Sequence, residues 1–146
     1  MSLESSRNQD ASTDANREPW PLATDATFRV LAWPRYEDTE SIKRVLRVAE
    51  PLFDNQSGCL CLRHDPEYDI PYQDAVHQLE RAFEELGLTG DLEVLFVNEA
   101  IEESDLSRLG HSIQAMIQAD EVLNVHQQSL VNALLKADVA IIGADL

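Results

Sequence analysis

From residue 28 onward the chain alternates short β-rich runs with stretches of helical period, the pattern of a parallel sheet joined by crossover helices. Phe28–Trp33 (FRVLAW), Gly58–Arg63 (GCLCLR), Leu92–Val97 (LEVLFV), Glu121–Val125 (EVLNV) and Val139–Ile142 (VAII) read as five strands. Between the first two, Ile42, Val45, Leu46, Ala49 and Phe53 make one apolar stripe, with Asp38 or Thr39 as its cap and Pro51 near its end. Asp74 caps a second helix, with Ala75, Leu79, Ala82, Phe83 and Leu86 on one face and Gly87 closing it; the turn Thr89-Gly90-Asp91 leads into the third strand. Ser104 opens a third helix lined by Leu106, Leu109, Ile113, Met116 and Ile117, in which Gly110 predicts a close crossing over a neighbour. Residues 129–137 make the fourth. Right-handed crossovers then predict a three-layer, Rossmann-like α/β domain over residues 28–146, with a mostly parallel five-stranded sheet in the order 3-2-1-4-5.

The first 27 residues are rich in Ser, Asn, Asp and Thr and have almost no aliphatic residues before Trp20, so they read as a mobile, disordered tail. Trp20, between Pro19 and Pro21, is its one large apolar anchor, free to dock on the domain or on a partner. No apolar run approaches the roughly 20 residues of a spanning helix, and the N-terminus lacks the apolar stretch of a secretory signal, so a cytoplasmic chain without membrane partners is expected. Cys59 and Cys61, one residue apart on a strand, read as buried free thiols because a disulfide at that spacing is strained.

The formal net charge of −16 disfavours nucleic acid as a partner. The charge is uneven. Residues 64–107 hold thirteen acidic residues against one basic, Arg81, whereas residues 28–63 hold six basic against five acidic.

In a doubly wound sheet ligands bind beyond the carboxyl ends of the strands, near the switch point. There the chain places Trp33, Pro34, Arg35 and Tyr36 after the first strand, Arg63, His64 and Asp65 after the second, Asn98 and Glu99 after the third, and His126 and Gln127 after the fourth. Arg35 and Arg63 on adjacent strand ends have the chemistry to grip a phosphate or carboxylate, with Trp33 or Tyr36 offering a face to a base or sugar. The alternative is that the two arginines are paired with Asp38, Asp65 or Glu67 across the loop mouths. The candidate ligand-binding set is therefore Trp33, Arg35, Tyr36, Arg63, His64, Asn98 and His126, with no catalytic residue, metal or cofactor assigned. Glycine-rich nucleotide motifs are absent, and the alternation Asp65, Glu67, Asp69 lacks the glycine and the closing glutamate of a calcium loop, with Ile70 and Val76 in their places.

The run Ala119-Asp120-Glu121-Val122-Leu123-Asn124-Val125-His126, followed by Ser129 to Leu135 and Val139 to Ile142, resembles the C-terminal, donor-nucleotide-binding half of two-domain (GT-B) glycosyltransferases. The resemblance covers roughly residues 28–146 and rests on order, spacing and hydrophobic pattern. It implies a nucleotide-sugar or other phosphorylated ligand at the strand ends. The glutamate pair of that family falls near Asn124 and Asn132, neither acidic, and the acceptor-binding half is missing, so the chain alone is expected to be inactive. A second expectation is a protein-interaction or regulatory domain, its acidic stretch binding a basic partner or an exposed sheet edge forming a homodimer.

Overall fold

The computed structural model describes residues 18–53, 57–88 and 92–143. The chain runs β1 (Phe28–Ala32), α1 (Thr39–Leu52), β2 (Gly58–His64), α2 (Tyr72–Leu86), β3 (Glu93–Asn98), a 3-10 turn (Glu103–Asp105), α3 (Leu106–Gly110), β4 (Ala115–Gln118), α4 (Val125–Lys136) and β5 (Ala140–Gly143). All four strand pairings are parallel and the order is β3-β2-β1-β4-β5, so the predicted doubly wound sheet is the observed one.

The central strands explain why the pattern was readable. Residues Val30 to Ala32 and Cys59 to His64 are buried on both faces, as in a parallel sheet covered by helices on either side. Leu31, Leu60, Leu62, Ile42, Leu46 and Ile117 are fully buried, and each contributes about 1.5–3 kcal/mol of apolar transfer energy before entropy is charged against it. On α1 the cap is Asp38, whose carboxylate accepts from the Glu40 N–H at 3.0 Å, while Ile42, Val45, Leu46 and Ala49 face the core. Gly87 ends α2 at φ 68°, a left-handed position that lets its N–H reach Glu84 O and the Leu88 N–H reach Phe83 O. That helix starts earlier than expected. Pro71 occupies its cap position and Asp74 lies in the first turn, where a carboxylate still favours the helix dipole.

The fourth strand is the main correction. It is Ala115–Gln118, not Glu121–Val125, and the third helix stops at Gly110 instead of running on to Ile117. A strand buried on both faces has no alternation, and Leu109, Ile113, Met116 and Ile117 happen to fall at helical spacing. Tertiary pairing decides: the Gln114 N–H donates to Arg29 O at 2.9 Å, and Ala115, Met116 and Ile117 then pair with Val30, Leu31 and Ala32. Residues 121–125 instead lead into α4, which begins at Val125 and not at 129. Its capping box joins Asn124 and Gln127 reciprocally. Gly110 does cross a neighbour closely, since a Cβ there would stand 2.8 Å from Ala137 Cβ at the end of α4.

The helical layer that holds α3 is thin. The helix α3 has only five residues and packs on α4. Residues 18–26, within the span read as a tail, pack against α3 and against Arg29 of β1 and Glu93 of β3. Trp20 N–H donates to Arg108 O at 2.9 Å, its indole N–H to Glu99 Oε1 at 2.8 Å, and the Arg108 guanidinium sits 5.0 Å from its ring centroid. Thr24 Oγ1 donates to Glu93 Oε2 at 2.6 Å, and Arg29 on β1 reaches the carbonyls of Thr24 and Ala26. Arg29, Cys59 and Glu93 are register neighbours across three strands, so this segment covers the row that contains Cys59. Both cysteines are buried and free. Residues 1–17 and the turn expected at 89–91 lie outside the described residues. Among the described residues no helix is long and apolar enough to cross a membrane.

Candidate functional site

At the carboxyl ends of β1, β2 and β4 the chain forms a cleft of about 210 Å³ whose lining includes Trp33, Arg35, Glu37, Tyr68, Asp69, Asn124 and Gln127. Its position is the switch point, because β1 lies between the halves wound in opposite directions. The volume lies below the roughly 300–1,000 Å³ of pockets that enclose a whole drug-sized ligand, so the cleft has room for a small group only.

The two arginines separate. Arg63 is 1% exposed and its Nη1 donates to three carbonyls, His64 O at 2.9 Å, Val97 O at 3.3 Å and Glu99 O at 2.6 Å. Its Nη2 stands 3.7 Å from Asp65, its guanidinium lies 5.4 Å from the Trp33 ring centroid, and its Nε has no partner. Burial pulls its pKa down, opposed by the nearby carboxylates of Asp65 and Asp69. Arg63 thus clamps the ends of β2 and β3 from inside and presents no surface to a ligand.

Arg35 is different. Its side chain is 39% exposed, with Nε 3.8 Å from Asp120 and Nη2 donating to Val122 O at 2.8 Å. Its remaining nitrogen, Nη1, has no hydrogen-bond partner among the described residues. Asp120 is itself committed: it is 7% exposed, accepts from Arg44 Nη2 at 2.6 Å and from Ser41 Oγ at 2.9 Å. Of the pairings expected across the mouths, only that of Arg63 with Asp65 is present among the described residues; Arg35 is paired with Asp120.

Beneath the cleft the polar side chains form a closed set. Tyr36 is fully buried and donates its hydroxyl to Arg63 O, and burial raises its pKa well above the usual phenol value. His64 is 1% exposed, with Nδ1 2.8 Å from Asn98 Oδ1 and Nε2 2.7 Å from Ile70 O. Asn98 is thereby a partner of His64. The Trp33 indole N–H donates to Asp69 Oδ2 at 2.8 Å, and the same oxygen accepts the Asp65 N–H. Burial raises the Asp69 pKa, with those two hydrogen bonds opposing.

Of the seven predicted residues, Trp33 and Arg35 line the cleft. Tyr36, Arg63 and His64 are buried beside it, and Asn98, exposed at the end of β3, lies with its Oδ1 on His64 Nδ1. His126 is exposed at the rim, its ring centroid 4.3 Å from that of Tyr68. Sequence reasoning missed Tyr68 and Asp69 as cleft residues. Asn124 and Gln127 carried a readable sign, since Asn-x-x-Gln before an apolar run is the signature of a capping box. Asn124, one of the positions the resemblance aligns with a glutamate, caps α4 and lines the cleft, while Asn132 lies on α4 away from it. Among the described residues no group of three or more His, Cys, Asp or Glu is placed to hold a metal ion.

No family model matches the chain, and no curated protein matches it. Among solved structures it is similar to the terminal R domain from the myxalamid PKS-NRPS biosynthetic pathway, at 12% identity and TM-score 0.49, over 90% of this chain and 39% of that one. It is similar to an α,α-trehalose-phosphate synthase (UDP-forming) from Burkholderia xenovorans in complex with glucose-6-phosphate, at 13% identity and TM-score 0.47, over 92% and 35%. A trehalose-6-phosphate synthase studied with bisubstrate glycomimetics is similar at 14% identity and TM-score 0.43, over 91% and 32%. The chain therefore spans under two fifths of the length of each of these three proteins, and the likeness is one of chain trace.

Proposed function

We propose that the chain is a glycosyltransferase-like binding domain, inactive by itself, that holds the anionic part of a phosphorylated ligand in the cleft at the ends of β1 and β4. The observation that carries this reading is Arg35, a guanidinium at the switch point with one nitrogen unpartnered among the described residues and its side chain 39% exposed. A nucleotide sugar is the ligand class that the resemblance implies. The cleft takes its phosphate or sugar, and the exposed Tyr68 and His126 rings at the rim offer a stacking surface for the base. Burial disfavours the charge of Asp69, against its two hydrogen bonds, and Glu37 is the one solvent-exposed carboxylate in the lining.

A thermal-shift series with UDP, GDP and their sugars tests the reading. A ligand at 100 times its Kd adds about 2.7 kcal/mol to stability and raises Tm visibly. The shift is expected in the unmodified chain and absent in Arg35→Ala. No shift with any of these ligands, or the same shift in the variant, overturns the proposal, and turnover of a nucleotide-sugar donor by the isolated chain overturns its inactivity.

A further inference from the structure

We infer that the rim of the cleft is a docking surface for a basic protein segment that carries an apolar side chain between its cations. The exposed large hydrophobic residues of the described chain are Tyr68 (46%), Tyr72 (41%), Val122 (73%), Val125 (73%) and Leu135 (55%), and all but Leu135 stand at the carboxyl end of the sheet. Single exposed apolar residues are ordinary, but these converge from two loops. Tyr68 belongs to the β2–α2 connection, Val122 to the β4–α4 connection and Val125 to the first turn of α4. Asn124 Nδ2 donates to the Tyr68 hydroxyl at 2.7 Å and the His126 ring lies against the Tyr68 ring, so the two segments meet at Tyr68, with Val122 and Val125 exposed on either side of Asn124 in sequence.

Charge selects the occupant. Glu67 directly precedes Tyr68, Glu121 directly precedes Val122, and Glu37 shares the cleft lining with Tyr68; all three are exposed. Arg35 is the one cation in that lining, set against the exposed carboxylates of Glu37, Glu67 and Glu121. Asp120 adds little to the outward field because Arg44 and Ser41 hold it inside. An apolar patch inside a negative rim repels nucleic acid and anionic lipid, and a second copy brings a further −16 of like charge. A segment with Lys or Arg on either side of an aliphatic or aromatic residue satisfies both parts of the surface. This inference does not use the spare nitrogen of Arg35 but shares the Tyr68 and His126 surface with the stacking role proposed above, so it is read by peptide binding and the phosphorylated-ligand reading by the nucleotide Tm shift and its loss in Arg35→Ala.

The test uses a fluorescein-labelled peptide, Lys-Lys-Leu-Trp-Leu-Lys-Lys, titrated with the full chain at low salt and read by anisotropy. Its controls are Glu-Glu-Leu-Trp-Leu-Glu-Glu and Lys-Lys-Ser-Gly-Ser-Lys-Lys. The first peptide is expected to bind about tenfold tighter than either control, and Tyr68→Ser and Val125→Ser each to weaken it about tenfold. Neutralising Glu67→Gln together with Glu121→Gln is expected to weaken it roughly threefold and to flatten its salt dependence. Leu135→Ser, on the outer side of α4, is expected to change nothing, and thermal melts confirm that each variant folds. Equal affinity for the acidic peptide, affinity unchanged by Tyr68→Ser and Val125→Ser, or no binding at millimolar protein overturns the inference; so does a dimer of the chain in light scattering that Val125→Ser dissolves.

Discussion

Arg63 and Arg35 stand at the carboxyl ends of neighbouring strands, yet the first is 1% exposed with three carbonyls on one nitrogen, and the second is 39% exposed with a nitrogen to spare. The same contrast runs through their surroundings. Tyr36 and His64 beside Arg63 are sealed, with their polar atoms paired, whereas Tyr68, Val122 and Val125 beside Arg35 lie open to solvent. A guanidinium that satisfies main-chain carbonyls fixes loops; one that keeps a donor free can meet a ligand. The floor of the cleft is thus made of buried, paired polar groups and the rim of exposed ones, although both use residue types that look functional on paper.

Mutations at the floor separate these roles. Arg63→Met strips the carbonyls of His64, Val97 and Glu99 of a shared buried donor and is expected to cost about 3 kcal/mol in urea unfolding. A loss as small as that of a typical surface change, under about 0.5 kcal/mol, breaks the comparison. Tyr36→Phe removes one buried hydroxyl from Arg63 O and is expected to cost about 1 kcal/mol, with no change in the ligand-induced Tm shift.

The smallest effect tests the boundary between floor and rim. Burial raises the Asp69 pKa, so the fold favours the neutral acid and the carboxylate form costs stability once pH climbs through that raised value. Asp69→Asn keeps an oxygen for the Trp33 and Asp65 N–H groups and removes the charge. Its Tm is expected to exceed that of the unmodified chain near neutral pH, with the gap closing as pH falls through the Asp69 titration. A gap that widens in acid contradicts the assignment.

Much of this architecture was legible in the residues. The stripes of α1 and α2 and the β-branched and aliphatic runs of β1 to β3 carry their periods plainly, and strand order then follows from crossover handedness. Met116 and Ile117 did not declare themselves because the middle of a doubly covered sheet erases the alternation that marks a strand. The site was legible as a place and not as a division of labour. Position after a strand put Arg35 and Arg63 at the same end of the sheet. Which one turns inward depends on the covering layer and on carbonyls supplied by β3 and the loop after it, at Val97 and Glu99, which no local spacing reports.

The segment that ends at Ala26 gives the molecule a measurable internal clock. Thr24 lies against the row of Cys59, and this part of the sheet is closed by extended backbone and a few side-chain anchors instead of a long helix. Lifting such a cover requires the loss of Trp20 and Arg29 contacts and leaves the strand ladder intact, so it belongs to the low-energy end of local opening. Thiol-labelling kinetics at Cys59 therefore report how often the cover lifts, while the melting temperature reports the ladder beneath it.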